Sequence, residues 1–460
     1  MNHNTFLLLC ALFAVIGLVV LIARFKVNAF VALIVASLFV GICSSLNLPH
    51  DQAFLHLQGV GKAFAEGVGN VLASVAIVVG LGTILGKLLA ESGGAEVIAH
   101  WLIRRLGPER LPWTMLLLAL VVGIPVWFTV GLVLLAPILF TLVKESGKPL
   151  LSLGIPLLAG LAATHALVPP HPGVLAAISF LRADVGRTIF YSLLIGVPTA
   201  IVAGPIFGKF IVSRVHVTTG KIAAQLGESQ HKVKGPRDLP DFALSILTIL
   251  LPVLLMTGAS VANLTSEKQS ILRAYFDFLG HPIVAMLLAV LFSFYSFGTA
   301  VGFRKEDILR FSNDCLGPVA MVLLVVGAGG GFSKTLEFSG VGQAITGAVV
   351  QSRFSPIFLG WFLACLLRIA TGSTTVAMST AAGIMARVVA AVPGTNLELL
   401  VVAMGAGALI LSHLNDGGFW LVKEYFNMTV TQTLKTWSVL TTVASVVALL
   451  LVLLLNALLK

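Results

Sequence analysis

The chain of 460 residues is 58% hydrophobic and only 10% charged, with a mean hydropathy of +1.02. Soluble domains carry roughly 25% charged residues, so this composition excludes a soluble fold and predicts an all-α polytopic membrane protein. The net charge of +10 falls in short loops, which the positive-inside rule explains without a nucleic-acid partner. No polar stretch is long enough for a nucleotide-binding domain, so a pump driven directly by ATP is also excluded.

The cysteines predict no covalent or metal chemistry. Cys10, Cys43, Cys315 and Cys365 are far apart and have no paired spacing. They are typical of small apolar residues, and neither a disulfide framework nor a metal site is indicated. We therefore predict no metal and no cofactor.

The first half of the chain alternates apolar segments with interruptions. Each apolar segment is long enough to cross a hydrocarbon layer of about 30 Å. Residues 47–69 are mixed in character and predict an interfacial helix and loop, and two short apolar arms around 91–94 predict a re-entrant hairpin. The remaining predicted spans are 6–23, 27–46, a discontinuous helix over 113–143, an interrupted segment over 150–182, and 188–212.

The segment Thr164–Gly173 is the most unusual of these interruptions. It reads Thr-His-Ala-Leu-Val-Pro-Pro-His-Pro-Gly, with three prolines in four positions and two histidines. Proline cannot continue a helix, because it lacks an N–H and its ring clashes with the preceding turn. Broken backbone at membrane depth is tolerated only when it is packed in protein or lines a watery cavity. Such breaks are typical of the binding sites of transporters.

The second half repeats the first at a constant offset of 247 residues. Nine of the 21 positions in 78–98 are identical to their counterparts in 325–345, including Lys87 with Lys334 and Ser92 with Ser339. We therefore predict a membrane repeat over 1–212, a basic cytoplasmic linker over 213–240 and a second repeat over 241–460. With a hairpin and broken helices in each repeat, inversion is plausible, and the total is roughly 12 membrane-spanning elements.

Polar residues at the breaks form the predicted binding site. Neutral donors and acceptors suit a ligand with several hydroxyl groups, and the N-termini of broken helices suit an anion. Together they favour a small hydroxylated carboxylate. The predicted binding residues are Gly82, Thr83 and Ser92 in the glycine-rich arm, Thr129, His165 and His171 in the first-half breaks, and Thr371, Ser373, Thr374, His413, Asn415 and Asp416 in the second half.

Four of these residues are candidates for proton coupling. A carboxylate in an apolar region costs about 2.5–3.5 kcal/mol and usually faces a cavity, so Asp416 is the leading candidate. A different role for Asp416 is to cap the half-helix that starts at Gly417. His165, His171 and His413 are also candidates, and a different role for them is to tie down broken backbone as neutral rings.

The sequence resembles the gluconate permease family, within the wider ion-transporter superfamily. Four long segments carry the resemblance in the right order: 80–94, 165–173, 368–378 and 412–420. The resemblance implies a secondary transporter of the bacterial inner membrane that takes up gluconate or a related sugar acid together with protons. Family members also carry other hydroxy acids or D-serine, so the family leaves the substrate open.

One departure from the family pattern bears on the coupling ion. Thr129 stands in Trp-Phe-Thr-Val-Gly, where relatives often have a glutamate. The sequence therefore leaves sodium coupling open, because carbonyl groups at helix breaks can hold Na⁺. It also leaves open an exchanger of small carboxylates, a channel or an intramembrane enzyme, and it does not decide whether the protein forms a homodimer.

Overall fold

The computed structural model describes residues 3–46, 48–218, 220, 239–265, 270–317, 319–341, 344, 355–414 and 416–459. Over these ranges every regular element is a helix, which confirms the predicted all-α class. The predicted linker over 213–240 lies largely outside the described residues, as does Asn415. The helices are α1 (His3–Ala23), α2 (Ala29–Ser45), α3 (His50–Ser92), α4 (Gly94–Leu106), α5 (Leu111–Val122), α6 (Phe128–Ser146), α7 (Leu150–Leu167), α8 (Pro172–Leu181), α9 (Val185–Ile201), α10 (Phe207–Val212), α11 (Phe242–Thr265), α12 (Ile271–Leu279), α13 (Pro282–Ser293), α14 (Lys305–Asp314), α15 (Val319–Phe338), α16 (Pro356–Thr371), α17 (Thr374–Ala391), α18 (Leu397–Gly407), α19 (Gly417–Tyr425), α20 (Val430–Thr433) and α21 (Val439–Leu458).

Many of these helices are suited to a bilayer. Within the described ranges, nine helical segments are long and apolar enough to cross a membrane, and four shorter apolar helices accompany them. Several carry large apolar side chains on their outer faces, such as Phe13, Phe190 and Leu450, each more than half exposed. Such side chains are stable facing lipid and costly facing water. The chain is therefore a multi-pass membrane protein.

Residues 47–69 differ from the sequence-based prediction. We expected an interfacial helix followed by a loop, but α3 is one helix of 43 residues from His50 to Ser92. Between His50 and Ser92 the sequence has isolated glycines and no proline, and an isolated glycine costs a helix only about 1 kcal/mol. The turn between the two arms of the predicted hairpin is present: α3 ends at Gly93, whose φ of +77° suits glycine. The arms are longer than predicted, at 43 residues in α3 and 13 in α4, and the re-entrant course stays a prediction.

The helix bounds support the predicted repeat. Adding 247 to the bounds of α5 and α6 gives 358–369 and 375–393, which nearly coincide with α16 and α17. The left-handed glycine after α3, Gly93, has its counterpart after α15 in Gly340, with φ of +73°. The division into repeats and their inversion stay predictions.

The two halves meet closely along α3 and α15. A Cβ on Gly67 would lie 2.3 Å from the carbonyl oxygen of Gly330, and a Cβ on Gly330 would lie 2.4 Å from that of Gly67. No side chain fits between backbones at this separation. Small residues at such crossings are how helices associate in lipid, where the hydrophobic effect between helices is absent.

The interrupted helices pack across the two halves. In each half one pair of equivalent helices packs together, α5 with α7 and α16 with α18. Between halves, α8 packs on α17 and α6 contacts α19. A Cβ on Gly173, near the start of α8, would lie 3.3 Å from the Cα of Thr375, near the start of α17. This crossing brings the interruptions of both halves to one place.

The close crossing predicts a position-specific loss of stability. We expect Gly67→Ala to lower the free energy of unfolding by about 1–3 kcal/mol, because the added methyl group meets backbone that cannot move away. Gly69→Ala is the matched control on the same helix, since nothing lies within 4 Å of its Cβ. Thermal unfolding of the purified protein in detergent measures both. Equal midpoints for the two variants would contradict the described crossing.

Candidate functional site

A cavity of about 280 Å³ lies where four helices begin. Its walls come from the first residues of α6, α8, α17 and α19, with further side chains from α7, α15 and α16. Its volume is near the lower end of the range of small-molecule sites. The residues that line it are Trp127, Phe128, Thr129, Ala162, His165, Pro172, Val322, Arg368, Gly372, Ser373, Thr374, Thr375, Leu409, Asp416, Gly417, Gly418, Trp437 and Thr441.

The four helix N-termini differ in how they are capped. Ser373 caps α17 by accepting a hydrogen bond from the N–H of Val376 at 3.3 Å. Asp416 caps α19 by accepting one from the N–H of Gly418 at 2.8 Å. No side chain among the described residues caps α6 or α8. The first N–H groups of a helix carry partial positive charge, so the cavity is suited to an anion.

Arg368, near the end of α16, carries the buried positive charge of the cavity. Its side chain is 4% exposed, and its Nη2 lies 2.5 Å from Oδ2 of Asp416. Its Nη1 donates a hydrogen bond to the carbonyl oxygen of Gly372 at the helix break. Its Nε–H is buried and has no hydrogen-bond partner among the described residues. The contacts with Asp416 and Gly372 use two of the five N–H groups of the guanidinium, so it keeps donors for a ligand.

Asp416 is held in place by groups besides Arg368. The hydroxyl of Ser412 donates to Oδ2 of Asp416 and accepts a hydrogen bond from Nε1 of Trp437 at 2.7 Å. The N–H of Ser412 donates to Oγ1 of Thr441 at 3.1 Å. The predicted capping role of Asp416 is confirmed, but it accounts for only one of the carboxylate's contacts. The carboxylate's other contacts are with the guanidinium of Arg368 and the hydroxyl of Ser412.

The three candidate histidines differ in their contacts. A ring nitrogen of His171 lies 2.8 Å from the carbonyl oxygen of Gly123, and one of His413 lies 3.0 Å from that of Ile369. Both therefore tie down broken backbone. His165 instead lines the cavity, and its buried Nδ1 has no hydrogen-bond partner among the described residues. Its ring meets that of His171 edge-on, with centroids 5.0 Å apart.

The remaining predicted site residues fall into two groups. Thr129, Ser373 and Thr374 line the cavity together with His165 and Asp416. Gly82, Thr83, Ser92 and Thr371, like His171 and His413, do not line it, and Asn415 lies outside the described residues.

Each serine or threonine of the second group has a local role. Ser92 accepts a hydrogen bond from the N–H of Gly94 and so holds the turn after α3. Thr83 donates to the carbonyl oxygen of Val79 within α3. The hydroxyl of Thr371 accepts from the N–H of Ser373 at 3.4 Å, within the break itself.

Sequence reasoning missed Arg368 as a site residue. The signal was present, because a charged residue within an apolar helix marks a functional site by default. That rule was applied to Asp416 but not to Arg368, which lies inside a continuous helix rather than at a break. Trp127, Phe128 and Trp437 were also missed. They form an aromatic wall in which the rings of Phe128 and Trp437 stack with centroids 4.9 Å apart.

Comparison with known proteins identifies the family. The sequence profile described as GntP family permease matches residues 6–458. The chain belongs to this family. It is 48% identical over 456 residues to a gluconate permease of Pseudomonas aeruginosa, covering 99% of both chains. It is 39% identical over 442 residues to the Gnt-II system L-idonate transporter of Escherichia coli, covering 96% of this chain and 97% of that one.

A solved structure has the same fold. MtrF of Neisseria gonorrhoeae, which its description places in a class of antimetabolite efflux pumps, superposes with a TM-score of 0.62. The match covers 94% of this chain and 96% of that one at 12% sequence identity. At this identity the likeness concerns the fold alone. The GntP chain is thus a membrane permease and not an enzyme, as the sequence predicts.

Removing one partner of the buried ion pair should cause a large loss of stability. We expect Asp416→Ala to destabilise this permease by about 3–5 kcal/mol, because it leaves the Arg368 charge buried without a partner. Asp184→Ala is the matched control: Asp184 caps α9 and accepts a hydrogen bond from Ser260, so its loss costs about 1–2 kcal/mol. Thermal unfolding in detergent compares the two variants.

A double variant tests the cause of that loss. Arg368→Met combined with Asp416→Ala removes both charges, and replacing a buried ion pair by apolar groups is often neutral. We therefore expect the double variant to unfold at a higher temperature than Asp416→Ala alone. A double variant less stable than the single one would contradict the attribution to an unpaired charge.

Proposed function

We propose that this permease takes up gluconate or a related small sugar acid together with protons across the bacterial inner membrane. The observation that carries the proposal is the buried guanidinium group of Arg368 in a cavity at which four helices begin; its Nε–H has no hydrogen-bond partner in the part of the chain that the structure describes. A permanent positive charge and several helix dipoles favour an anion over a neutral or cationic ligand.

The remaining polar groups of the cavity favour a hydroxylated anion. Nδ1 of His165 is buried and has no hydrogen-bond partner within the described ranges, and Thr129, Thr374 and Thr375 line the same cavity. A ligand that lacks hydroxyl groups would leave these side chains without partners, at a cost of about 1–3 kcal/mol for each group that becomes desolvated. Relatives named for gluconate and for L-idonate support the same class of substrate.

Alternating access is the proposed mechanism of transport. The cavity lies between helices of both predicted repeats, with α6 and α8 from the first and α17 and α19 from the second. Movement of one repeat against the other would open the site to one side of the membrane at a time.

Transport driven by separate ion gradients tests this function. In proteoliposomes, we expect radiolabelled gluconate to accumulate against its gradient when protons are more concentrated outside, and not when only Na⁺ is. Accumulation with Na⁺ alone would replace proton coupling by sodium coupling. Equilibration without accumulation under either gradient would indicate a channel.

Ligand-dependent stability tests the substrate class. At 100 times its Kd, a ligand that binds only the folded protein stabilises it by roughly 2.7 kcal/mol. We expect such a rise in unfolding temperature with gluconate and L-idonate, a smaller one with glycerate and lactate, and none with a hydroxylated molecule that lacks a carboxylate, such as sorbitol. A response to sorbitol equal to that of gluconate would contradict anion recognition.

Two serines provide a matched pair for the same measurement. Ser373→Ala removes the cap of α17 at the cavity, whereas Ser92→Ala alters a turn away from it. We expect only Ser373→Ala to weaken the response to gluconate.

A further inference from the structure

The ion pair in the cavity has a role beyond stability. We propose that Arg368 binds the carboxylate of the substrate, that Asp416 occupies Arg368 in its absence, and that a proton on Asp416 exchanges one partner for the other. This inference rests on the proposed function, because it concerns the same substrate class. In each transport cycle one proton and one substrate carboxylate bind together, so the net charge of the cavity does not change.

The geometry places substrate and Asp416 in competition for one cation. Arg368 is 4% exposed, so its charge needs a partner at all times. Nη2 bonds Asp416 and Nη1 bonds Gly372, which uses two of the five N–H groups of the guanidinium. A substrate carboxylate that bound Arg368 beside an ionised Asp416 would place two anions on one buried cation. The substrate therefore replaces Asp416 as the anion beside Arg368 when Asp416 gives up its bond with Nη2.

Protonation lets Asp416 give up that bond without losing its place. A neutral carboxyl group no longer needs a cation beside it, and its remaining contacts with Ser412 and with the N–H of Gly418 keep it in the turn. The balance is simple: one proton joins Asp416, its hydrogen bond with Arg368 breaks, and the substrate's carboxylate forms bonds with Arg368. No covalent bond changes.

The net charge of the cavity explains why the proton and the substrate are transported together. The empty cavity holds one positive and one negative side chain, so their sum is zero. With both proton and anion bound, the sum is again zero. A proton alone leaves an unpaired positive charge, and an anion alone leaves an unpaired negative one. Closing the site around an unpaired charge carries a desolvation cost of several kcal/mol. A protein that has bound only the proton or only the anion therefore does not reopen to the other side of the membrane.

Further titratable groups near the cavity are few. His165 of α7 lines it beside Arg368, His413 precedes Asp416 and bonds Ile369, and His171 lies behind His165. No titratable side chain occurs among the described cavity-lining residues of α6, α15 and α17, and the lining residues Trp437 and Thr441 are not titratable either. Asp416 is therefore the group whose charge balances Arg368 directly.

Binding measured against pH tests the exchange. For the purified wild-type protein, we expect the Kd for gluconate to rise about tenfold per pH unit wherever the free protein has Asp416 ionised, because binding takes up one proton. Asp416→Asn should bind gluconate with no such slope, since Arg368 is then permanently available. Asp184→Asn, which changes a capping aspartate away from the cavity, should keep the wild-type slope.

Transport by Asp416→Asn gives a second, independent readout. Its empty cavity carries one unpaired positive charge, whereas its substrate-loaded cavity is neutral. We expect this variant to exchange internal for external gluconate in proteoliposomes and to lose net accumulation under a proton gradient. A variant that only failed to fold would lose both activities and would bind no gluconate.

Removing Arg368 tests the carboxylate contact. We expect Arg368→Gln combined with Asp416→Asn, which leaves no unpaired charge, to bind gluconate at least about 30-fold more weakly than Asp416→Asn alone. Arg368→Lys should bind weakly but keep the pH slope, because the positive charge remains. Arg387→Gln is the matched control, since Arg387 forms an ion pair with Glu337 and does not line the cavity.

The results of these measurements distinguish a failure of the proposed exchange from a failure of the proposed function. If the wild-type protein binds gluconate but Asp416→Asn keeps the wild-type pH slope, the exchange is wrong while the function stands. Equal affinities of the double variant and Asp416→Asn would also overturn it. If the wild-type protein binds none of the sugar acids, the proposed function fails and the exchange fails with it.

Discussion

A positive charge that cannot leave the protein interior is the constraint around which this site is built. Arginine stays protonated under all ordinary conditions, and Arg368 is 4% exposed in an apolar bundle. The N-termini of four helices add positive potential around it. The cavity must therefore contain one negative charge in every state. In the described structure Asp416 supplies that charge, and a bound anion is the second source.

The position of Arg368 also bears on the choice of coupling ion. Its guanidinium group contacts the carbonyl oxygen of Gly372 and the carboxylate of Asp416, the kinds of oxygen that hold Na⁺ at helix breaks. With a tethered cation on these oxygens, a sodium ion would have to displace Arg368 or bind elsewhere. This occupation of the carbonyl and carboxylate oxygens by Arg368 supports the proposed coupling to protons.

The sequence predicts the breaks well because their causes are local. Proline and glycine interrupt helices by their own geometry, so the break near His171 and the turn at Gly93 can be located without tertiary information. The offset of 247 then pairs the breaks of one half with those of the other. The close crossing at Gly67 could not be predicted, because it depends on which faces of two distant helices meet.

The sequence predicts the members of the site less well than its location. Ser92 belongs to a recognisable motif, but a motif gives no direction for a side chain, and Ser92 holds a turn. Arg368 was missed for the opposite reason, since it lies in an unbroken helix and reaches the site only through tertiary packing. His413 and His171 tie down backbone, a role that sequence alone could not separate from ligand contact.

The predicted repeat accounts for the helix breaks at the site but not for its charged residues. At an offset of 247, Ser412 corresponds to His165, whereas Arg368 corresponds to Val121 and Asp416 to Pro169. Both halves thus supply helix N-termini, and only the second supplies the ion pair. A symmetric site with two such pairs would offer two cations and would require two anions for neutrality in each loaded state. A single pair fits a ligand with one carboxylate, and His165 and Thr129 of the first half line the same cavity.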